Sequence, residues 1–152
     1  MKIRGFEPVV EKHKKNSVPA ILPIRGSRDS AGYDFASPVE FKVKPYDKAL
    51  IWTDVKAYMQ ENEVLKLYPR SSLGIKKGLT LANTVGIVDR DYHSNESNDG
   101  NIGICLYNNT GEEVFISAGE RIAQGIFTPF LVSDNGNTED DRVGGIGSTN
   151  KS

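Results

Sequence analysis

Five short stretches place polar side chains where a reaction could use them. In "VGIVDRDYHSNESNDGNIGICLYN", residues 85–108, an apolar run ends in Asp89, Asp91 and Tyr92, and a polar segment separates it from a second apolar run. A carboxylate at a strand end can orient and deprotonate a water, because carboxylates are ionised at neutral pH and need only placement. Read alone, the two aspartates are better explained as turn residues. In "YPRSSLGIKKG", Arg70, Ser71 and Ser72 follow a strand that Pro69 ends. Arginine and serine at a helix start can hold phosphate oxygens, and a serine there can equally cap the turn. In "AGYDFAS", Asp34 lies between Tyr33 and Phe35, so in a strand it points away from both rings and could be a solvent-facing charge. "GERIAQGIF" puts Gln124 inside an apolar strand, a place for a satisfied core amide or for a donor to a buried ligand. In "RVGGIGST", Gly144, Gly145 and Gly147 follow Arg142. Converging backbone N–H groups beside an arginine favour an anion, although no lysine or βα unit makes this a Walker loop.

These residues need a scaffold of strands. Short alternating or β-branched runs predict strands over 20–24, 33–36, 39–43, 49–58, 64–68, 79–82, 85–88, 102–107, 113–117 and 122–130. Fifteen glycines and seven prolines punctuate them, and the one candidate helical turn is 71–76. The two apolar runs within residues 85–108 read as the two strands of a hairpin. The chain is predicted to be all-β, a sandwich or barrel. The wholly polar segment 94–99 and the tail over 133–152 have no apolar periodicity.

At 152 residues and net charge −1 the chain reads as one domain with a real core and no basic field for nucleic acid. Cys105 sits in an apolar run, where a small buried residue is expected. With neither a membrane-length apolar stretch nor the apolar segment of a signal peptide, the expectation is a cytoplasmic protein without a membrane partner.

The five stretches occur in one order, as residues 31–37, 69–76, 83–92, 119–127 and 142–149. In that order they resemble the trimeric dUTP diphosphatases (dUTPases) from about residue 20 to residue 149. The resemblance implies a jelly-roll-like barrel or sandwich over 1–132 and a flexible glycine-rich arm over 133–152 that completes a neighbouring active site. It implies a homotrimer with sites at subunit boundaries, hydrolysing dUTP with Mg²⁺ to dUMP, a precursor for thymidylate, and pyrophosphate.

Residue by residue, the resemblance makes Asp89 the general base that aims water at the α-phosphate. Asp34 would act through metal-bound water or a neighbouring basic side chain, and no residue is assigned as a direct metal ligand. Arg70, Ser71 and Ser72, with Gln124, would hold phosphate oxygens. Asn83, Gly86, Ile87, Val88 and Gly103 would form the uracil slot, and Tyr92 would lie flat against the deoxyribose. Arg142, Ile146, Gly147 and Ser148 would close over the bound substrate. Three departures stand out: the 94–99 insertion, Ile146 in place of the usual aromatic, and Ser37 in place of the commoner alanine. Alternative readings are a dCTP deaminase-type or bifunctional relative, and a virus-encoded dUTPase whose 94–99 loop binds a regulatory protein.

Overall fold

The computed structural model describes residues 1–147 and residue 149. Among them are strands β1 (Gly5–Pro8), β2 (Ile24–Arg25), β3 (Tyr33–Ala36), β4 (Phe41–Val43), β5 (Lys48–Trp52) and β6 (Val55–Tyr58). They continue as β7 (Glu63–Tyr68), β8 (Leu79–Leu81), β9 (Gly86–Asp89), β10 (Gly103–Asn108), β11 (Val114–Ile116) and β12 (Arg121–Pro129). The strands pair antiparallel in four sheets, ordered β2-β3-β12-β7-β9, β5-β10-β8, β1-β6 and β11-β4. The expected all-β class is the one that forms. No helix among the described residues is long and apolar enough to cross a membrane.

Alternation decides what goes inside. In β10, Ile104, Leu106 and Asn108 are buried while the residues between them are half-exposed. Ile104 and Leu106 share one buried cluster with Phe35, Leu65 and Leu67 of the five-stranded sheet, while Asn108 donates to the Val43 and Glu112 carbonyls. β12 breaks the alternation with a bulge between Arg121 and Ala123, which lets Ile122 and Ala123 both turn inward. Cys105 is half-buried rather than fully enclosed.

Several elements differ from the sequence expectation. The run 49–58 is two strands, because Asp54 has a left-handed backbone (φ 59°) that ends β5 and starts a new direction. Asp54 is fully buried. Its carboxylate accepts from the Lys15 and Asn16 amides at 2.8 and 3.0 Å and from the side chain of Asn101 at 2.9 Å. Its own N–H donates to Asn101 Oδ1 at 2.9 Å. The 20–24 run pairs only at Ile24, and 39–43 only from Phe41. β1 was not anticipated, since "GFEP" neither alternates nor avoids proline; Phe6 earns its place by stacking within 5.5 Å of Tyr33, Phe35 and Phe127. The helical turn has Ser71 and Ser72 at its start and widens into a π-type turn over Leu73–Lys77. Ser37 is buried, and its hydroxyl donates to the Val39 carbonyl.

Asn101 is buried and holds both the amide and the carboxylate of Asp54. Asn101→Ala is expected to lower the unfolding free energy by about 2–3 kcal/mol, because it strands a buried donor and part of a buried charge. Urea denaturation checks this.

Candidate active site

The two apolar runs within residues 85–108 do not form the expected hairpin. β9 pairs with β7, at the edge of the five-stranded sheet, whereas β10 pairs with β5 and β8 in the three-stranded one. The loop is long because it crosses between sheets. The far edge of β9 has no strand partner among the described residues. β10 meets β8 only from Leu106 onward, so Gly103 also presents an edge outside the ladder. Between these edges is a cavity of about 400 Å³, within the range of small-molecule sites. Asn83, the β9 backbone from Gly86 to Asp89, Tyr92 and Gly103 line it, and Ile146 and Gly147 cover it. Peptide N–H and C=O groups at two free edges can pair with the donors and acceptors of a flat ring. Side chains pack closely against the glycines of both edges. A β-carbon on Gly103 would come within 2.9 Å of the Trp52 ring, and one on Gly86 within 3.0 Å of Leu67.

Asp89 ends β9 at the mouth of this cavity, with about half its side chain exposed. Arg142 folds back onto it: Nη2 lies 2.8 Å from Asp89 Oδ2, and Nε lies 2.8 Å from Asp91 Oδ1. The same guanidinium stands 5.8 Å from the centre of the Tyr92 ring. The resemblance set the arm on a neighbouring subunit; in this single chain Arg142 lies against its own Asp89. Ser148 falls outside the described residues. Asp91, which reads alone as a turn residue, shares the Arg142 guanidinium with Asp89, and an acidic pair two residues apart is the signal for such a partner.

The 94–99 segment, expected as a solvated connecting loop near the site, satisfies its polar groups largely within the chain, as a hydrogen-bonded knot. Asn95 is buried, donates to the Tyr92 carbonyl at 2.7 Å, and accepts from the amides of Ser97 and Asn98. Asp99 is buried too, accepting from the Val10 amide at 2.7 Å and from Lys56 Nζ at 2.9 Å. Gly100 (φ 89°) returns the chain so tightly that a β-carbon there would meet the Tyr92 carbonyl at 2.9 Å. The Tyr92 hydroxyl donates to the Asn101 carbonyl at 2.5 Å and accepts from Asn98 Nδ2 at 2.8 Å. Burial pushes the Tyr92 phenol above its ordinary value, although the Asn98 hydrogen bond and the Arg142 charge pull the other way. At neutral pH the ring is an uncharged wall.

A second cluster forms on β3 and β12. Asp34 is not solvent-facing: it is buried, with Arg70 Nε 3.1 Å from Oδ1 and Arg121 Nη1 3.3 Å from Oδ2. The bulge at the start of β12 explains how Arg121, paired in register with Ala36, reaches Asp34. Arg121 was missed because it read as an ordinary charge at a strand start. Gln124 pairs with Asp34 across the ladder, is half-buried and donates to the Pro69 carbonyl at 3.5 Å. Ser71 and Ser72 are exposed next to Arg70. The cluster is thus two guanidiniums, a buried carboxylate, an amide and two free-standing hydroxyls, which suits an anion with several oxygens. No group of three or more His, Cys, Asp or Glu side chains that could hold a metal occurs among the described residues.

The two clusters do not touch. Gln124 is opposite Tyr68 on β7, and Asp89 is opposite Val64 on the same strand. Four residues along and two strands across separate them by roughly 16 Å.

A protein-family model described as dUTPase matches residues 18–150. The deoxyuridine 5'-triphosphate nucleotidohydrolase of Lactococcus lactis is 47% identical over 98% of this chain and 99% of its own. That of Arabidopsis thaliana is 36% identical over 91% of this chain and 81% of its own. The crystal structure of dUTPase from Streptococcus mutans aligns with a TM-score of 0.76 at 41% identity, covering 86% of this chain and 99% of that one.

Burial raises the Asp99 carboxyl, yet the hydrogen bonds from Lys56 and the Val10 amide, with the charges of Lys56 and His13, bring it below its ordinary 3.8. A lowered folded-state pKa gives stability that is present above the unfolded value and lost as pH falls through the folded one. The stability gap between wild type and Asp99→Asn is therefore expected to be full at neutral pH and to shrink below about pH 4, as urea titrations across that range would record.

Proposed function

Because the chain belongs to the dUTPase family, we propose that it hydrolyses dUTP to dUMP and pyrophosphate, with Asp89 activating the attacking water. The observation that carries the residue assignment is the position of Asp89, half-exposed at the end of an edge strand whose free backbone lines a cavity of small-molecule size. Uracil inserts between the edges of β9 and Gly103, where fixed peptide groups match its donor–acceptor pattern and mismatch that of cytosine. The narrow slot leaves no room for the thymine methyl. Tyr92 packs against the deoxyribose and excludes a 2′-hydroxyl by contact, which discriminates better than the mere absence of a partner.

The cluster around Asp34 takes the phosphate chain. Arg70 and Gln124 donate to phosphate oxygens, Ser71 and Ser72 add hydroxyls, and Asp34 fixes the two guanidiniums that flank it. Mg²⁺, when bound, neutralises phosphate charge; phosphate oxygens and water are its preferred ligands, and Asp34 offers carboxylate oxygens to accept from such waters. Arg142 leaves Asp89 for the phosphates as substrate enters, freeing the carboxylate to take a proton from water. Ile146 covers the base without ring stacking.

Within one chain the two clusters stand on backbones roughly 16 Å apart, which favours a site completed by residues of another chain. We infer a homotrimer in which the Asp89 cavity of one subunit faces the Asp34 cluster of another and the arms serve neighbouring sites.

Asp89→Asn is expected to bind a non-hydrolysable dUTP analogue as wild type does while losing roughly 10²–10⁴-fold in single-turnover rate; full turnover would remove Asp89 from the role of base. Light scattering should give three chains per particle. Mixing Asp89→Asn with Arg70→Ala subunits should recover part of the activity that each lacks alone, and no recovery on exchange would place both clusters in one subunit's site.

A further inference from the structure

The Asp34 cluster draws on three segments of chain: β3, the turn that follows β7, and the start of β12. An ion pair outside the cluster joins all three. Lys77, at the end of the turn, brings Nζ to 2.6 Å from Glu120 Oε2 and donates to the Phe115 carbonyl at 3.1 Å. Glu120 immediately precedes Arg121, and its other carboxylate oxygen accepts from the Ser117 amide at 3.1 Å. Its carbonyl accepts at 2.8 Å from the amide of Ser37, three residues past Asp34. We propose that Lys77 and Glu120 are positioning residues that keep Arg70, Ser71 and Ser72 in register with β12 while phosphate occupies the cluster.

The turn needs such an anchor. Leu73 is the buried residue of the stretch Leu73–Lys77, whereas Ile75 is exposed. At the near end of the turn, Arg70 Nε lies 3.1 Å from Asp34 Oδ1, and Gln124 donates to the Pro69 carbonyl at 3.5 Å. Arg70 and Gln124 are the groups that turn toward phosphate in the function proposed above, so substrate competes with both contacts. The Lys77–Glu120 pair is offered to no ligand and persists. Gly78 (φ 68°) ends the turn, and the Asn109 amide and side chain donate to its carbonyl at 3.0 and 3.2 Å. That bond ties the turn to the residue after β10; Lys77 ties it to the connection that leads into β12.

Lys77 and Glu120 keep 36% and 24% of their side-chain surface exposed, and a pair so placed adds little to global stability. Its effect is local. Hydrogen bonds to phosphate weaken steeply with misalignment, so a turn that drifts from β12 loses triphosphate affinity first. The cavity beside Asp89 is lined by none of these residues, which leaves base recognition independent of the pair. The proposal rests on the reading of the Asp34 cluster as the phosphate site.

Calorimetric titration of the full-length protein with two probes, a non-hydrolysable dUTP analogue with Mg²⁺ and deoxyuridine, tests this. Lys77→Glu and Glu120→Lys should each weaken the analogue by about three- to tenfold and leave deoxyuridine binding as in wild type. The charge-swapped double variant should recover most of that loss. The sign of the Glu120→Lys effect decides between two causes. If the pair acted only through its field, a positive charge added near the phosphates would tighten the analogue. Tighter binding in Glu120→Lys, additive losses in the double variant, or equal losses for both probes would overturn the proposal. So would a lower melting temperature with unchanged affinities, the mark of a merely structural pair. Should the like-charge variants fail to fold, Lys77→Met and Glu120→Gln carry the same comparison with a loss of about two- to fivefold. A substrate-free readout comes from the Leu73 and Gly74 amides, which both donate to the Arg70 carbonyl at 3.1 Å. Their hydrogen exchange should quicken in Lys77→Met, and an unchanged rate rejects the anchor. A wild-type protein without dUTP turnover would sink the proposed function; the anchor would still be judged by exchange.

Discussion

Among the described residues β9 pairs with only one strand. As the last strand of the five-stranded sheet it pairs with β7 on one side and leaves its other row of peptide groups to the cavity. An unpaired edge is ordinarily a hazard, since it invites another chain to add a strand. Here the edge faces inward toward Gly103 and is roofed by Ile146 and Gly147. The same placement puts Asp89 where the strand stops and the solvent begins. It also forces the chain to travel to a different sheet before β10, and the 94–99 knot fills that crossing. The cavity's free backbone, the placement of Asp89 and the loop that props Tyr92 all descend from that single-sided pairing.

Charge is distributed with equal economy. Three arginines serve two carboxylate groupings: Arg70 and Arg121 hold Asp34, and Arg142 holds Asp89 with Asp91. The first grouping is built into the sheet, with Asp34 buried at a ladder position opposite Gln124. The second involves the arm, and Asp89 and Asp91 keep more than half of their side-chain surface in water. Exposed ion pairs are weak and easily exchanged for another partner. A fixed pair suits a platform for phosphates, and an exchangeable one suits a latch that substrate must open.

Much of this was legible in the sequence where a local rule decides. Tyr33–Ala36 was placed residue for residue, and β7, β8, β10 and β12 within a residue of their ends, because alternation or β-branching survives in each. The residues expected at the uracil slot do converge: Asn83, Gly86, Ile87, Val88, Tyr92 and Gly103 share one cavity. What could not be read were the long-range events. Nothing local shows that β9 and β10 join different sheets, because two apolar runs around a loop look the same in either case. Asp34 read as exposed because alternation with two aromatics was the only information, whereas its burial depends on Arg121, 87 residues away. The polar knot looked solvated because hydrophilicity says nothing about whether partners come from water or from the chain. Asp54 broke a strand through its own backbone, which only the buried amides around it make worthwhile.

The indole behind the slot has a practical consequence. Trp52 is the chain's single tryptophan, and it packs directly against Gly103, one of the residues that line the cavity beside β9. Indole emission depends on its immediate surroundings, and no other indole contributes background. The protein therefore carries an intrinsic optical probe of what enters that cavity, readable without attaching a dye or altering a residue.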